Sequence, residues 1–481
     1  MPLFLNPETK KILTRVHLFS KNKKVKLHLV GGYLRDLILK RRKSNPDIDF
    51  CIKRGAISFG RNLARELKAG FVVLDKEHGC CRLVKKIRDR VYTLDFSDWR
   101  GPTIKEDLLH RDFTINTLAL DLEDISSGKW RDDLWIDLYG ARLDLEKKSI
   151  RMTSPHVFDE DPLRILRAFS LAAIFNFKIE LKTLRLAKAK AKKLRRVSFE
   201  RIRDELFKIL DTPHSWQYLA EMDKLGILKF IIPEIELMRG VAQGPYHHLD
   251  VWRHSLETLK QLEALFRELE PKRNIAVYLD EIIAAARRRY SLMKLGAILH
   301  DIGKPRAKRR QGKKTIFHGH EKIGSQIAEE ISRRLRLSND EWRSLEKMVF
   351  WHLRPGYLGD NEELSRRAIF RYLRDTAQEA VSVLLISLAD QRSTCGRLTT
   401  KASRVLHEKT CHQLINEYFK RQKEEKPTRL LNGNELMRAF KLAPSRLIGQ
   451  TLAELQELQA IGKIKNRKEA LKAAQRYLQN C

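Results

Sequence analysis

Four residues near the N-terminus have the types and spacing for phosphate chemistry. Gly31 and Gly32 carry no Cβ, so the backbone there can turn sharply and come close to another group. Asp47 and Asp49 are two apart on a strand-like run, which projects both carboxylates from one face. Two hard oxygen ligands so placed suit Mg²⁺ and leave room for substrate phosphates. A phosphate cradle beside a metal-binding acid pair points to two-metal phosphoryl or nucleotidyl transfer. The plain alternative is a glycine turn followed by a solvated acidic loop, since a short glycine motif alone is weak evidence.

Specific elements must position these groups. Leu27, Leu29 and Val30 read as a strand leading into the glycines. Leu34, Leu37 and Ile38 then recur at helical spacing, so a helix begins just past Gly32, and its bare amides form an anion site. "FVVLD", "CRLVKKI" and "VYTLDF" read as further strands of one sheet, and "RNLARELKAG" as a helix closed by Gly70. From about residue 155 onward the pattern is almost wholly helical. The basic stretch 181–210 breaks near Val197-Ser198; its charges are either a solvated face or an RNA backbone contact. "LEPKRN" and "RQGKKTIFHGH" read as loops, and the polar run ending at Pro427 as a linker before a last small helical unit.

Composition narrows the partners. The chain has 481 residues, of which 95 are Lys or Arg and 61 Asp or Glu, a net charge of +34. That excess favours a polyanion, with nucleic acid the obvious one. Hydrophobic residues make up 42%, enough for a core. No apolar run reaches the roughly 18 residues of a membrane span, so no membrane partner is expected. The start "MPLFL" is too short for a signal peptide. The six cysteines (Cys51, Cys80, Cys81, Cys395, Cys411 and Cys481) show no C-x-x-C pair and read as reduced thiols of a cytosolic protein.

A further motif, "EDLLHRDFTINTLALDL" at 106–122, changes the reading. With Gly31-Gly32-x-x-Arg35-Asp36 and Asp47-x-Asp49, it closely resembles the class II tRNA nucleotidyltransferase and poly(A) polymerase family. "DLYGARLDLEKKSIR", "DEDPLRILRAF", "RIRDELFKIL" and a tail like that of bacterial members extend the resemblance over nearly the whole chain. The resemblance implies that Gly31, Gly32 and Arg35 hold an incoming triphosphate. It implies that Asp47 and Asp49 hold Mg²⁺, with Asp95 a third carboxylate candidate. Arg111 would add a planar cation to the nucleotide site, or else form a structural ion pair with Asp112 or Glu106. ATP and CTP would be the nucleotides, and the 3′ end and acceptor arm of tRNA the primer.

"DEDPLRILRAF" reads as a helix start, with Asp161 near the cap and Pro162 in the first turn. Asp161 and Arg164 share a face, and Arg167 lies one turn on. A carboxylate accepts from the exocyclic amine of cytosine or adenine while a guanidinium donates to the ring nitrogen. The pair would therefore admit C and A and reject U and G, as a protein template does in the resembling family. The alternative is an ordinary cap and salt bridge. Three departures stand out. Ser170 replaces a common arginine, and Ala141 a common glycine. Only 15 residues separate Asp95 from Arg111, which leaves little or no flexible loop of the kind resembling CCA-adding enzymes use in switching to A. CCA, CC-only, A-only and poly(A) addition all stay open.

A second set follows in order: His254, His300-Asp301, His320, His352 and Asp390. It resembles the HD phosphohydrolase superfamily. The resemblance implies a first metal site of His254, His300, Asp301 and Asp390, with His320 and His352 serving a second. Imidazole plus carboxylate suits a divalent transition metal better than bare Mg²⁺. The alternative is a helical RNA platform with little activity.

The expectation is an α+β chain. A mixed-sheet nucleotidyltransferase head of the polymerase beta-like kind (1–150) precedes an all-helical neck (151–235), HD domain (236–420) and tail (421–481). The chain would be a cytoplasmic, bacterial enzyme extending tRNA 3′ ends. A poly(A) polymerase on mRNA, an HD phosphohydrolase with a nucleotide-binding head and a non-catalytic RNA-binding protein are the rivals. The sequence sets no oligomeric state.

Overall fold

The computed structural model describes residues 5–41, 44–126, 132–312, 314–359, 363–424 and 428–480. Pro427, the end of the expected linker, lies outside them. The chain forms two compact units: Met1–Ile209 with Glu221–Ile231, and Leu210–Ala220 with Ile232–Cys481.

Side-chain alternation builds the first unit. Strands β1 (His28–Val30), β2 (Asp47–Ile52), β3 (Gly70–Asp75), β4 (Cys80–Ile87), β5 (Arg90–Asp98) and β6 (Ala119–Asp121) form one mixed sheet. Their order is β3-β4-β5-β2-β1-β6, and β2 runs parallel to β5 while the other pairs are antiparallel. Ile48, Phe50 and Ile52 on β2, with Tyr92, Leu94 and Phe96 on β5, are all buried. Phe50 stacks on Phe96 at 4.8 Å, and Phe59 from the helix Ala56–Leu67 closes over Phe96 at 5.5 Å. The period of two then forces Asp47, Asp49 and Asp95 onto the opposite face. That face is covered in part by the helix Ile104–Leu109, whose Leu108 packs with Val30, Cys51 and Ala119.

The helix expected after the glycines is present as Gly32–Ile38. The basic stretch folds as Leu181–Lys190, a 3-10 segment Ala191–Arg196 and Phe199–Leu210, with the break where expected. Three details differ from the sequence reading. Lys68, with φ +49°, closes the helix Ala56–Leu67, while Gly70 opens β3. "RQGKKTIFHGH", read as a loop, takes part in a short antiparallel pair, Arg309–Gln311 with Lys314–Ile316. The neck is not wholly helical, because Ser149–Ile150 pairs in parallel with Lys178–Ile179.

Among the described residues, the regular elements of the second unit are helices and two short strand pairs. Its centre is the helix Ala380–Ser393, buried continuously from Ala380 to Ala389. A helix apolar on all sides must be surrounded, and Val251–Leu269, Arg289–Leu299 and Asn339–Trp351 pack around it. The tail helices Gly433–Phe440, Arg446–Ala460 and Arg467–Gln479 enclose a core of their own around Leu436 and Leu455.

Candidate active sites

In the head, the strand β1 is followed by Gly31, whose φ of +75° favours glycine. A Cβ there would meet Arg111 Nη1 at 2.9 Å and Asp49 Oδ2 at 3.3 Å. The glycine turn, Asp49 and Arg111 therefore meet at one point. Asp47 is exposed and Asp49 half-buried. Burial raises the Asp49 pKa to about 7; Asp47 and Asp95 add repulsion, while Arg111 opposes the shift. Asp49 lines a cleft of about 380 Å³ together with Asp95, Arg111, Asp161, Arg164 and Arg167. An acid this costly to ionise, with a second acid beside it, fits a divalent cation.

The cleft's cations are tied to different partners. Arg111 pairs with Asp107 at 3.5 Å rather than with Asp112 or Glu106, and its Nε is buried without a hydrogen-bond partner. Arg167 donates to Asp112 at 2.5 Å. Burial works against the Asp112 charge, but Arg167, Asn116 and the Phe113 amide hold its pKa down to about 2. Arg35 is 6% exposed and donates to Asp36 and to Asn116 Oδ1, with its guanidinium over Phe175. It stands as a strut between the glycine helix and the segment Thr114–Asn116.

In the second unit, four helices bring their ends to one place. Asp250 caps the helix Val251–Leu269 by accepting from the Arg253 amide, which puts His254 in the first turn. His300 and Asp301 follow directly on Arg289–Leu299, His320 opens His320–Arg334, and His352 follows Asn339–Trp351. Asp390 comes from the central helix. A Cβ on Gly303 would lie 2.1 Å from the His320 carbonyl oxygen, so only glycine lets those two backbones approach this closely. Each imidazole is oriented through Nδ1: His300 to Ala297 O, His320 to Phe317 O, His352 to Val349 O, and His254 to Ser393 Oγ. Their Nε2 atoms point inward. Two sets of three potential ligands result: His254, His300 and Asp390, and Asp301, His320 and His352. Asp301 joins them, with Oδ2 at 3.2 Å from His300 Nε2 and Oδ1 at 3.3 Å from His320 Nε2. The Nε2 atoms of His300, His320 and His352 and Asp301 Oδ1 are buried without hydrogen-bond partners. Buried orphans of this kind, with oriented Nδ1 atoms behind them, fit divalent metal.

Three family descriptions match the chain. "Poly A polymerase head domain" matches 27–151, "Probable RNA and SrmB- binding site of polymerase A" 176–238, and "HD domain" 251–394. The CC-adding tRNA nucleotidyltransferase of Geobacter sulfurreducens is 31% identical over 93% of this chain and 90% of its own length. This chain belongs to the tRNA nucleotidyltransferase and poly(A) polymerase family. The A-adding tRNA nucleotidyltransferase of Deinococcus radiodurans is 29% identical over 93% of this chain and 95% of its own. A structure of the Thermotoga maritima CCA-adding enzyme complexed with tRNA shares the fold. Its TM-score is 0.63 at 21% identity, over 98% of this chain and 96% of that one.

Within this family member, the sequence-expected residues fall into two groups. Asp49, Gly31 and Arg111 converge, with Asp47 beside Asp49 on one face of β2, as do the six His and Asp residues of the HD domain. Asp161 and Arg164 line one cleft without pairing. Asp161 accepts from Arg201 at 2.7 Å and from the Leu163 amide, while Arg164 donates to His110 O and Glu160. Their helix starts at Arg164, two residues after Pro162, so Asp161 caps the turn before it. Asp95 is forked by Arg82. The departures also have settings: Ser170 is buried against Glu205, and Ala141 starts a helix capped by Gly140. Residues between Asp95 and Arg111 complete β5 and build the helix Ile104–Leu109, opened by a Thr103–Glu106 capping box. Sequence reasoning missed Arg82, Arg201 and Lys304. The last donates to Asp301 Oδ2 at 2.6 Å and stands three residues past it in "HDIGKP", a spacing that puts both near one helical turn.

Proposed function

We propose that this chain adds C and/or A, from CTP or ATP, to the 3′ end of tRNA. One observation carries the reading: Asp49, Gly31 and Arg111 meet beside a cation-lined cleft, with Asp47 two residues before Asp49 on the same face of β2. In this reading Asp47 and Asp49 hold Mg²⁺, which when bound lowers the pKa of the primer's 3′-hydroxyl and steadies the leaving pyrophosphate. Arg111 presents its guanidinium to the triphosphate, and Gly31 keeps the backbone close enough for that contact. Arg35 holds the glycine helix in place from behind. Asp161 and Arg164 line the wall where a base would be read, and Arg167 fixes that wall through Asp112. Names of relatives support the substrate class, since they describe A-adding and CC-adding tRNA nucleotidyltransferases.

The head, neck, HD domain and tail keep the boundaries given above in this proposal. His254, His300, Asp301, His320, His352 and Asp390 hold a divalent transition metal and support hydrolysis of a phosphomonoester or cyclic phosphodiester. We place the work in the bacterial cytoplasm; among the described residues, no helix is long and apolar enough to cross a membrane.

The test offers tRNA ending before CCA, after C and after CC, with each NTP alone, and sequences the products. C or A added in the order of the CCA end supports the reading. Long A tails on any RNA end would make the chain a poly(A) polymerase. His300→Ala with Asp301→Ala should remove HD-bound metal and hydrolysis while sparing addition. No stoichiometric ion in the wild type under any loading condition would make the HD domain a scaffold for tRNA.

A further inference from the structure

One row of residues crosses the acid face of the head sheet. Arg82 on β4 stands opposite Asp95 on β5, and Asp95 stands opposite Asp49 on β2. Asp95 thus has a cation on one side and an acid on the other. Its carboxylate goes to the cation: Arg82 donates from Nε to Oδ1 at 2.8 Å and from Nη2 to Oδ2 at 2.7 Å. A two-point fork sets the plane of a carboxylate as well as its position. Both oxygens are drawn toward β4, away from the strand that carries Asp47 and Asp49. Among the described residues, the sets of three His, Cys, Asp or Glu ligand atoms within 4.8 Å of one another are the two in the HD domain. The head's three acids do not close into such a set.

We propose that Arg82 is a positioning residue that holds Asp95 out of the head's metal centre and leaves Asp47 and Asp49 as the metal pair. This rests on the reading of those two acids given above. Mg²⁺ in a transferase site is best held by one or two carboxylates, with its remaining positions left to water and substrate phosphates. A third carboxylate, one strand spacing of about 4.8 Å from Asp49, would take one of those positions. The fork prevents this without removing the acid, and its charge offsets that of Asp95. Loss of the arginine would add one net negative charge to the site and free a third ligand.

The test is a Mn²⁺ titration of the full chain without nucleotide, followed by electron paramagnetic resonance. Ions lost in Asp49→Asn define the head site and separate it from the HD domain. Arg82→Met should tighten the head site by about tenfold, the order expected for removing a nearby cation beside a divalent ion. Asp95→Asn should weaken it by no more than about threefold, because Asp95 is not a ligand. The double variant should return to within about threefold of wild type, and it also removes any folding penalty of an unpaired Asp95. Arg82→Lys, which keeps charge without the fork, should fall between. Unchanged affinity in Arg82→Met would overturn the proposal by showing that the fork restrains nothing, and loss of the head site in Asp95→Asn would overturn it by making Asp95 an ordinary ligand. Unchanged binding in Asp49→Asn would remove the metal pair itself, and the proposal with it. Loss of nucleotide addition in that variant would then show Asp49 acting in another role.

Discussion

Asp49 is held where its charge is unfavourable until a cation arrives. Its pKa in the fold is about 7, against an ordinary value of 3.8, with burial the largest cause. Between those values the folded chain holds a proton that the unfolded chain has released. Stability without metal therefore falls as pH rises from about 4 to 7, and the full cost is present above 7. Asp49→Asn removes that cost. We expect the variant to be inactive in addition, yet more heat-stable than wild type above pH 7 in the absence of divalent ions. The gain should be about 1–2 kcal/mol after allowing for screening of a half-buried group, and should vanish near pH 4. Thermal melts at pH 4 and pH 8 with a chelator check this. A second residue-scale expectation concerns the base. Arg164→Ala should cost about 1–3 kcal/mol of discrimination for C and A over U and G, with a smaller effect on triphosphate binding. Competition assays with mixed NTPs measure it, and unchanged selectivity would leave Arg164 as the clamp on His110 and Glu160.

At the scale of elements, the Gly303 contact is the most exacting. The helix His320–Arg334 reaches Asp301 only because its first turn passes within backbone contact of Gly303. Gly303→Ala should push that helix outward, separate His320 from Asp301, and lower stability by about 1–3 kcal/mol as other overpacked sites do. Metal content should fall and HD hydrolysis with it, while nucleotide addition stays near wild type. Metal analysis beside the addition assay separates these effects. The same contact shows what a sequence can and cannot display. Asp47 and Asp49 were legible because a period of two and an apolar partner face place them together. The ordered His and Asp residues were legible as a resemblance. The Gly303 approach was not, because it joins segments about twenty residues apart. Arg82 escaped notice because its role is a cross-strand register, which depends on how β4 pairs with β5. Asp161 and Arg164, read as sharing a helix face, line one cleft with Asp161 outside the helix, and side-chain partners such as Arg201 come from another helix and leave no local signal. Lys68 closed a helix assigned to Gly70 because a lysine took the left-handed conformation that glycine usually supplies.

For the whole molecule, the net charge of +34 must be carried somewhere, and the stretch 181–210 shows how. Thr183, Ala187, Ala191 and Leu194 face inward and are buried, while Lys182, Arg185, Lys188, Lys192, Arg195 and Arg196 are exposed. Part of the stretch's charge is offset locally: Asp159 accepts from Lys190 and Lys193, Asp161 from Arg201, Asp204 from Arg203 and Glu205 from Lys208. An amphipathic segment of this kind could be no more than a solvated face. It lies, however, inside the part of the chain that matches the polymerase RNA-binding description. The two readings differ in what salt does. Backbone contact releases a counterion from each neutralised phosphate, so log affinity for tRNA falls linearly as log salt rises. A merely solvated face contributes nothing to that slope. We expect a steep slope in the wild type, and a slope reduced by about one for each contacting cation removed. Replacing Lys188, Lys192 and Arg196 together by Ala should therefore flatten it by up to about three, with no change in which base is added. Filter binding of tRNA across a salt series measures this. A triple variant with the wild-type slope would make the stretch a solvated face and send the search for the tRNA backbone elsewhere on the chain.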